Sequence, residues 1–159
     1  MEDWAGRLAD TGLSRSLRES FWLYPCIEVA HILGFIVLVG AIMMFDVRLL
    51  GAARRLPVSA LGAHLRKWSF GSLVLVVPTG LLLFTAQPVE LVKNPVFGLK
   101  LLTIGAAALN ALAFRLGVHR SVHAWDREVP APRAARFHAM ASLLLWCATV
   151  TCGRFLAYT

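Results

Sequence analysis

The chain has 159 residues, of which 58% are hydrophobic and only 16% are charged, whereas an ordinary soluble domain is about 25% charged. Its 16 lysines and arginines outnumber its 9 aspartates and glutamates, which gives a formal net charge of +7. A soluble domain of this length would have to expose large apolar patches. A disordered chain would be far more polar, and a secreted disulfide scaffold would hold more than 3 cysteines. The composition therefore favours a single membrane domain over these classes.

The N-terminal segment, residues 1–24, differs from the rest of the chain. It opens with acidic residues rather than a basic leader, so it does not have the pattern of a signal peptide. Apolar residues recur at roughly helical spacing, namely Trp4, Leu8, Leu13, Leu17 and Phe21. We therefore expect one or two short helices lying on the membrane surface, in preference to a flexible polar tail.

Four apolar blocks follow within residues 25–159, and each is long enough to cross a bilayer as a helix, which takes about 20 residues. The predicted spans are residues 25–45, 68–86, 96–114 and 137–158. No block alternates polar and apolar residues, as the strand of a membrane barrel would. The pattern predicts an all-α fold, an integral membrane antiparallel four-helix bundle with a short N-terminal interfacial segment.

The basic residues are divided unevenly between the two sides of such a bundle. The connections at 46–67 and 115–136 share one side and hold ten basic and three acidic residues, whereas the remaining segments hold six of each. The positive-inside rule then predicts a bacterial inner-membrane protein with cytoplasmic connections and both termini periplasmic. Because topology accounts for the charge, membrane lipid is the expected partner and nucleic acid is not. A redox partner or a second copy of the chain also remains open.

Ionisable residues inside the spans are the main functional signal, because such groups cost a few kcal/mol in lipid and usually mark function. They are Glu28, His31, Lys100 and Arg154, all in the half of the bundle near the termini. Glu28 and His31 are three residues apart and share a helix face. We expect Lys100 or Arg154 to pair with Glu28. The alternatives are a purely structural ion pair, or basic side chains that only anchor helix ends at the headgroups.

The second span contains Pro78, Thr79 and Gly80 at about the depth of His31. A proline inside a helix removes one backbone hydrogen bond and bends the chain. This predicts a wider bundle beside His31, although a proline in a membrane helix is often only structural.

Two further groups are weaker candidates. His64, His119, His123 and His138 lie toward the side of the basic connections, where they could form a metal or heme site. The arginines around them favour ordinary interfacial histidines instead. Cys26 and Cys152 lie near the opposite end, where they could form a disulfide or bind a soft metal together with His31. Free thiols are the favoured interpretation.

The spans resemble an uncharacterised bacterial family of four-helix inner-membrane proteins, through WLYPCIEVAHILGFIVLVGAIMMFDVRLLG, WSFGSLVLVVPTGLLLFTA, NPVFGLKLLTIGAAALNALAF and SLLLWCATVTCGRFLAY. The layout is more remotely similar to the copper-resistance D type membrane domain and to HemJ-type protoporphyrinogen oxidase, which binds heme b. This resemblance implies a site at His31, Thr79, Gly80 and Lys100. The methionine ligand of the HemJ type has no clear counterpart in Met43 or Met44.

Three functions follow as hypotheses. In the first, a membrane redox protein and conceivable oxidoreductase binds heme b, with His31 as axial ligand, Lys100 and Arg154 near the propionates, and Glu28 orienting His31 or a cation. In the second, a copper-handling or transport protein uses Cys26, His31 and Cys152. In the third, the chain is a non-catalytic membrane subunit or scaffold.

Overall fold

The computed structural model describes residues 3–158, with the backbone alone for Asp3, and no strand occurs in this part of the chain. The α-helices are α1 (Asp3–Ala9), α2 (Gly12–Glu19), α3 (Leu23–Leu50), α4 (Val58–Ala86), α5 (Pro88–Lys93), α6 (Pro95–Leu116) and α7 (Arg133–Phe155). A 3₁₀ helix covers Val118–Ala124. Helices α3, α4, α6 and α7 are long and apolar enough to cross a membrane. The predicted all-α, multi-pass membrane fold is confirmed.

The ends of the spans differ from the predicted ones. Helix α3 continues five residues beyond 45, and α4 begins ten residues before 68. Hydropathy identifies only the part of a helix that lies in hydrocarbon. The polar turns by which α3 and α4 continue into the headgroup region were therefore assigned to the connection between them. The predicted connection 46–67 therefore shrinks to residues 51–57. The last span is shifted, because α7 begins at Arg133, four residues before 137, and ends at Phe155, where a turn follows.

The four spanning helices pack in a row rather than in a closed ring. Helix α3 contacts both α4 and α7, and α7 contacts α6, whereas α4 and α6 share no backbone contact within 8 Å over the described residues. Small residues bring neighbours together, since a Cβ on Gly34 would lie only 2.9 Å from Val76 Cγ2 of α4. The order is thus α4, α3, α7, α6. Phe84 of α4 stacks on Phe97 of α6 near the chain termini, with 5.6 Å between ring centres, and the bundle is open between these two helices beyond that contact.

The N-terminal helices fold back onto the end of α4. The Ser14 hydroxyl donates a hydrogen bond to Thr85 O at 2.7 Å, and the Arg18 guanidinium donates to Ala86 O at 3.0 Å. A cation suits the carbonyl end of a helix, where the dipole is negative. The expected short helices are confirmed, and the flexible tail is wrong for residues 3–19. Their position on the membrane surface remains a prediction.

We call the end that holds connections 51–57 and 117–132 the loop end, and the opposite end, near the chain termini, the terminal end. The fully buried guanidinium of Arg48 ties the two connections together at the loop end. Its Nε donates to Leu56 O at 2.8 Å, and its Nη2 donates to Arg54 O at 3.1 Å and Asp126 O at 3.2 Å. The sequence analysis counted Arg48 among the basic connection residues, but it belongs to α3.

Asp126 joins the same network from the other connection. Its carboxylate accepts hydrogen bonds from the backbone N–H of Ser59 at 2.7 Å and from the Ser59 hydroxyl at 2.9 Å. These bonds, above all the backbone one, hold the pKa of Asp126 below its usual range. Asp126 thereby caps the start of α4, where Pro57 supplies no side-chain cap. An apolar cluster packs beneath, formed by Leu49, Val58, Val122, Trp125, Ala131, Ala135 and Ala139.

Replacing Arg48 with Met should destabilise the protein strongly. The substitution keeps the side-chain length but removes three hydrogen bonds, at an expected cost of about 3 kcal/mol. Leu56 O loses its donor, whereas Arg54 O and Asp126 O keep the backbone N–H groups of Glu128 and Val58. Thermal unfolding in mild detergent, followed by helical circular dichroism, should show a clearly lower Tm. Arg55→Met, at an exposed position of connection 51–57, is the matched control and should leave the Tm unchanged. Equal Tm values for the two variants would contradict the proposed clamp.

Candidate functional site

His31 of α3 hydrogen-bonds to α4 through one ring nitrogen. Its Nδ1 lies 3.1 Å from Val76 O and 3.0 Å from Thr79 Oγ1, and the Thr79 hydroxyl itself donates to Leu75 O at 2.6 Å. A carbonyl oxygen can only accept, so Nδ1 must carry the proton. The Nε2 of the neutral imidazole then keeps its lone pair for another partner.

Pro78 lies in the turn of α4 that His31 contacts. Proline has no N–H, so the helix loses its hydrogen bond to Val74 O, four residues earlier. The carbonyls that Thr79 and His31 contact, Leu75 O and Val76 O, belong to the same turn. The structure thus brings His31 together with Thr79 and Gly80, as the sequence analysis expected.

Gly80 sets how closely the imidazole approaches α4. A Cβ at this position would lie 3.0 Å from Cε1 and 3.5 Å from Nδ1 of His31. Such spacing is tighter than ordinary van der Waals contact, so a larger residue would displace the ring. Gly80 is therefore part of the His31 site, because the absence of a side chain leaves room for the imidazole.

Lys100 reaches toward the same region from α6. It is half-buried, and a Cβ added to Gly153 of α7 would lie 3.9 Å from its Nζ. The terminal half of the bundle therefore holds one imidazole, from α3, and one ammonium, from α6.

Glu28 and Arg154 are not part of this site. Both side chains are exposed, and the expected ion pair of Glu28 with Lys100 or Arg154 is absent from the described residues. The Arg154 guanidinium instead donates to the Tyr158 hydroxyl and lies 4.6 Å from the centre of that ring. Arg154 therefore has the geometry of a helix-end anchor.

The cysteines do not form a pair. Cys26, Cys147 and Cys152 are free thiols, and only Cys152 is buried. Within residues 3–158, no three His, Cys, Asp or Glu side chains converge in a way that could hold a metal ion.

A second polar region lies at the loop end, in the gap between α4 and α6. It is a cavity of about 410 Å³ to which all four spanning helices contribute. Most of its wall is apolar. The polar and charged lining residues are Asp46, Arg66, Ser69, Asn110, Arg115, His119, His138 and Ser142.

Two polar atoms in this cavity are buried without a hydrogen-bond partner, namely Asp46 Oδ2 and His119 Nδ1, and these are the only such side-chain atoms found among the described residues. Asp46 is 5% exposed, and the Ser142 hydroxyl lies within reach of its carboxyl. Burial, followed by the charges of Arg66 and Arg115, lowers the pKa of His119. His119 is therefore neutral at pH 7 and offers one donor and one acceptor.

The four predicted histidines do not form one group. His119 and His138 line the cavity, and the His138 Nδ1 donates to Asn110 Oδ1 at 2.8 Å, which ties α7 to α6. His64 is exposed and accepts a hydrogen bond from Trp68 Nε1 at 3.1 Å. His123 is exposed because Val118–Ala124 is a 3₁₀ helix. With about three residues per turn, side chains four apart do not share a face.

Asp46 is a site residue that the sequence analysis missed. The sequence does show a carboxylate, Asp46, near the end of a long apolar span, which could have marked it as a candidate. Without the order of the helices, however, nothing connected it with His119 or Ser142.

Gly80→Ala should disturb the His31 site. The added methyl would press against Cε1 and displace the ring from Val76 O and Thr79, so the ¹⁵N shifts of the His31 imidazole should change. Gly71→Ala in the same helix, where a Cβ meets nothing within 4 Å, is the matched control and should leave these shifts as they are. Alanine favours a helix over glycine by about 1 kcal/mol, so Gly80→Ala should also be less stable than Gly71→Ala. Identical spectra for both variants would refute the close packing.

Comparison with known proteins gives a family but no activity. A family model described as a family of unknown function, DUF6644, matches residues 23–159. No curated protein and no solved structure matches the chain significantly. The matched region includes all four spanning helices and both polar regions, so the chain belongs to the DUF6644 family of unknown function.

Proposed function

We propose that this multi-pass membrane protein binds heme b in the terminal half of its bundle, with a redox or electron-transfer role. The observation that carries the proposal is the contact of His31 Nδ1 with Val76 O at 3.1 Å. Its Nδ1–H is held by Val76 O, so Nε2 is free to ligate iron. Ligating histidines in metalloproteins commonly donate their other ring N–H to a backbone carbonyl in this way. Heme b would supply reversible one-electron chemistry.

The neighbouring residues fit this role in part. Thr79 and Gly80 fix the position of the ring, and Lys100 places a positive charge in the same region that suits a heme propionate. Glu28 and Arg154 are exposed and drop out of the proposed site. The residues that would hold the cofactor are therefore His31, Thr79, Gly80 and Lys100.

We also place the protein in a bacterial inner membrane with both termini periplasmic. Support comes from the exposed arginines of the loop end, which are Arg54, Arg55, Arg120 and Arg127. An excess of arginine and lysine beside membrane spans is typical of the cytoplasmic side.

Copper handling has less support. A copper site would draw on Cys26, His31 and Cys152, but Cys26 is exposed whereas Cys152 is buried. Copper(I) is held by soft ligands that point at a common centre. No such set of three occurs among the described residues.

The spectrum of the purified protein tests the proposal. Wild-type protein, expressed with ample heme supply and purified in mild detergent, should show a Soret band. His31→Ala should lower the heme-to-protein ratio at least tenfold, because it removes the residue that would ligate the iron. His64→Ala is the matched control, since it removes an exposed histidine outside the site.

The other functions predict different results. A wild-type protein without a Soret band that carries stoichiometric copper would establish the copper alternative. A protein with neither cofactor, whose cellular phenotype survives His31→Ala and Lys100→Ala, would establish the scaffold alternative. Either result would overturn heme binding.

A further inference from the structure

We propose that the loop-end cavity binds the head and first isoprene units of an isoprenoid quinone, which enters from the lipid between α4 and α6. This is a second site, separate from His31, and it goes beyond the proposed heme function. It rests on the open side of the bundle, the apolar wall of the cavity and the two buried polar atoms at its loop end.

The route into the cavity follows from the order of the helices. Helices α4 and α6 share no backbone contact, and both contribute apolar side chains to the wall, such as Leu73 and Ile104. In a membrane this gap faces lipid tails. A ligand with a long apolar tail could therefore enter sideways and leave its tail in the bilayer.

The two unpartnered polar atoms favour a ligand whose polar end carries oxygens that form hydrogen bonds. Asp46 Oδ2 and His119 Nδ1 are buried without partners, and an unpaired buried polar group costs about 1–3 kcal/mol. Neutral His119 can donate one hydrogen bond and accept another, and the Asp46 carboxyl group accepts hydrogen bonds and can donate one when it is protonated. A quinone carbonyl accepts such a hydrogen bond and the quinol hydroxyl donates one, so both redox forms could pair with these groups.

Other lipid-soluble ligands fit less well. An anionic headgroup would be attracted by Arg66 and Arg115 but would then meet the Asp46 carboxyl, and a simple acyl chain offers no atom to Asp46 or His119. A cationic amphiphile would have to pass two arginines. A neutral head with two oxygens on an apolar tail meets each of these conditions.

The size and walls of the cavity also suit a flat ring. Its volume of about 410 Å³ lies within the range of about 300–1,000 Å³ that is usual for small-molecule sites. Phe45, Phe114 and Trp146 contribute aromatic surface. Trp146 also contacts Phe35 at 6.0 Å between ring centres, and Phe35 stacks on His31 at 6.4 Å. An aromatic row thus joins the cavity to the His31 site.

Binding of decyl-benzoquinone, a short-tailed quinone, tests this inference. Protein in phosphatidylcholine nanodiscs is titrated with the quinone while tryptophan fluorescence is followed, because Trp146 lies in the wall. Wild-type protein should show saturable quenching. Asp46→Leu should raise the Kd at least tenfold, since the partner of the head is lost.

A second variant keeps the test decisive if Asp46→Leu fails to fold. Ala108→Phe places a ring in the cavity from α6 and should also raise the Kd at least tenfold. Ala113→Phe, at an exposed position of α6 outside the cavity lining, should keep the Kd within twofold, and thermal unfolding checks that the variants are folded.

Three results would overturn the inference: no saturable quenching in the wild type, an unchanged Kd in Ala108→Phe, or displacement of the quinone by oleate with no effect of Asp46→Leu. The last result would mark an acyl-chain site. The titration is repeated in His31→Ala, where the quinone Kd should remain the same. Failure of heme binding therefore leaves this test intact.

Discussion

The loop end of the bundle depends on one buried cation. Arg48 donates to three carbonyls from two connections, and Asp126 extends the same network to the start of α4. These bonds fix where α4 leaves the loop end and where the chain passes from the 3₁₀ helix to α7. Asp46 precedes Arg48 by two residues in α3, and His119 lies in the 3₁₀ helix of the second connection, so both belong to elements that this network joins.

Away from the loop end, polar contacts and small residues join the helices in pairs. In lipid the hydrophobic effect does not drive helices together, so close packing and hydrogen bonds must do so. The buried Thr149 hydroxyl donates to Thr103 at 2.9 Å and joins α7 to α6, and His31 joins α3 to α4. Among the described residues, α4 and α6 meet through the stacked rings of Phe84 and Phe97 near the terminal end, and the cavity opens between these helices toward the loop end.

The sequence predicted the helices well and the spatial arrangement of the polar residues only in part. Residue counting along two antiparallel spans is enough to place His31 beside Thr79 and Gly80. It could not show that Glu28 and Arg154 are exposed or that Asp46 and His119 line one cavity, because these depend on helix order and rotation. In a membrane protein the lipid-facing residues are as apolar as the buried ones. Leu102, for example, is 69% exposed, so hydropathy does not reveal which face is inside.

Cysteine cross-linking in native membranes tests the open row of helices most directly. After Cys26, Cys147 and Cys152 are replaced by Ser, the pair Gly34→Cys with Val76→Cys spans the α3–α4 contact, and the pair Leu73→Cys with Ala108→Cys spans the cavity. Under mild oxidation the first pair should form a disulfide and the second should not. A disulfide across α4 and α6 at a comparable rate would show a closed bundle and would contradict both the cavity and its proposed ligand.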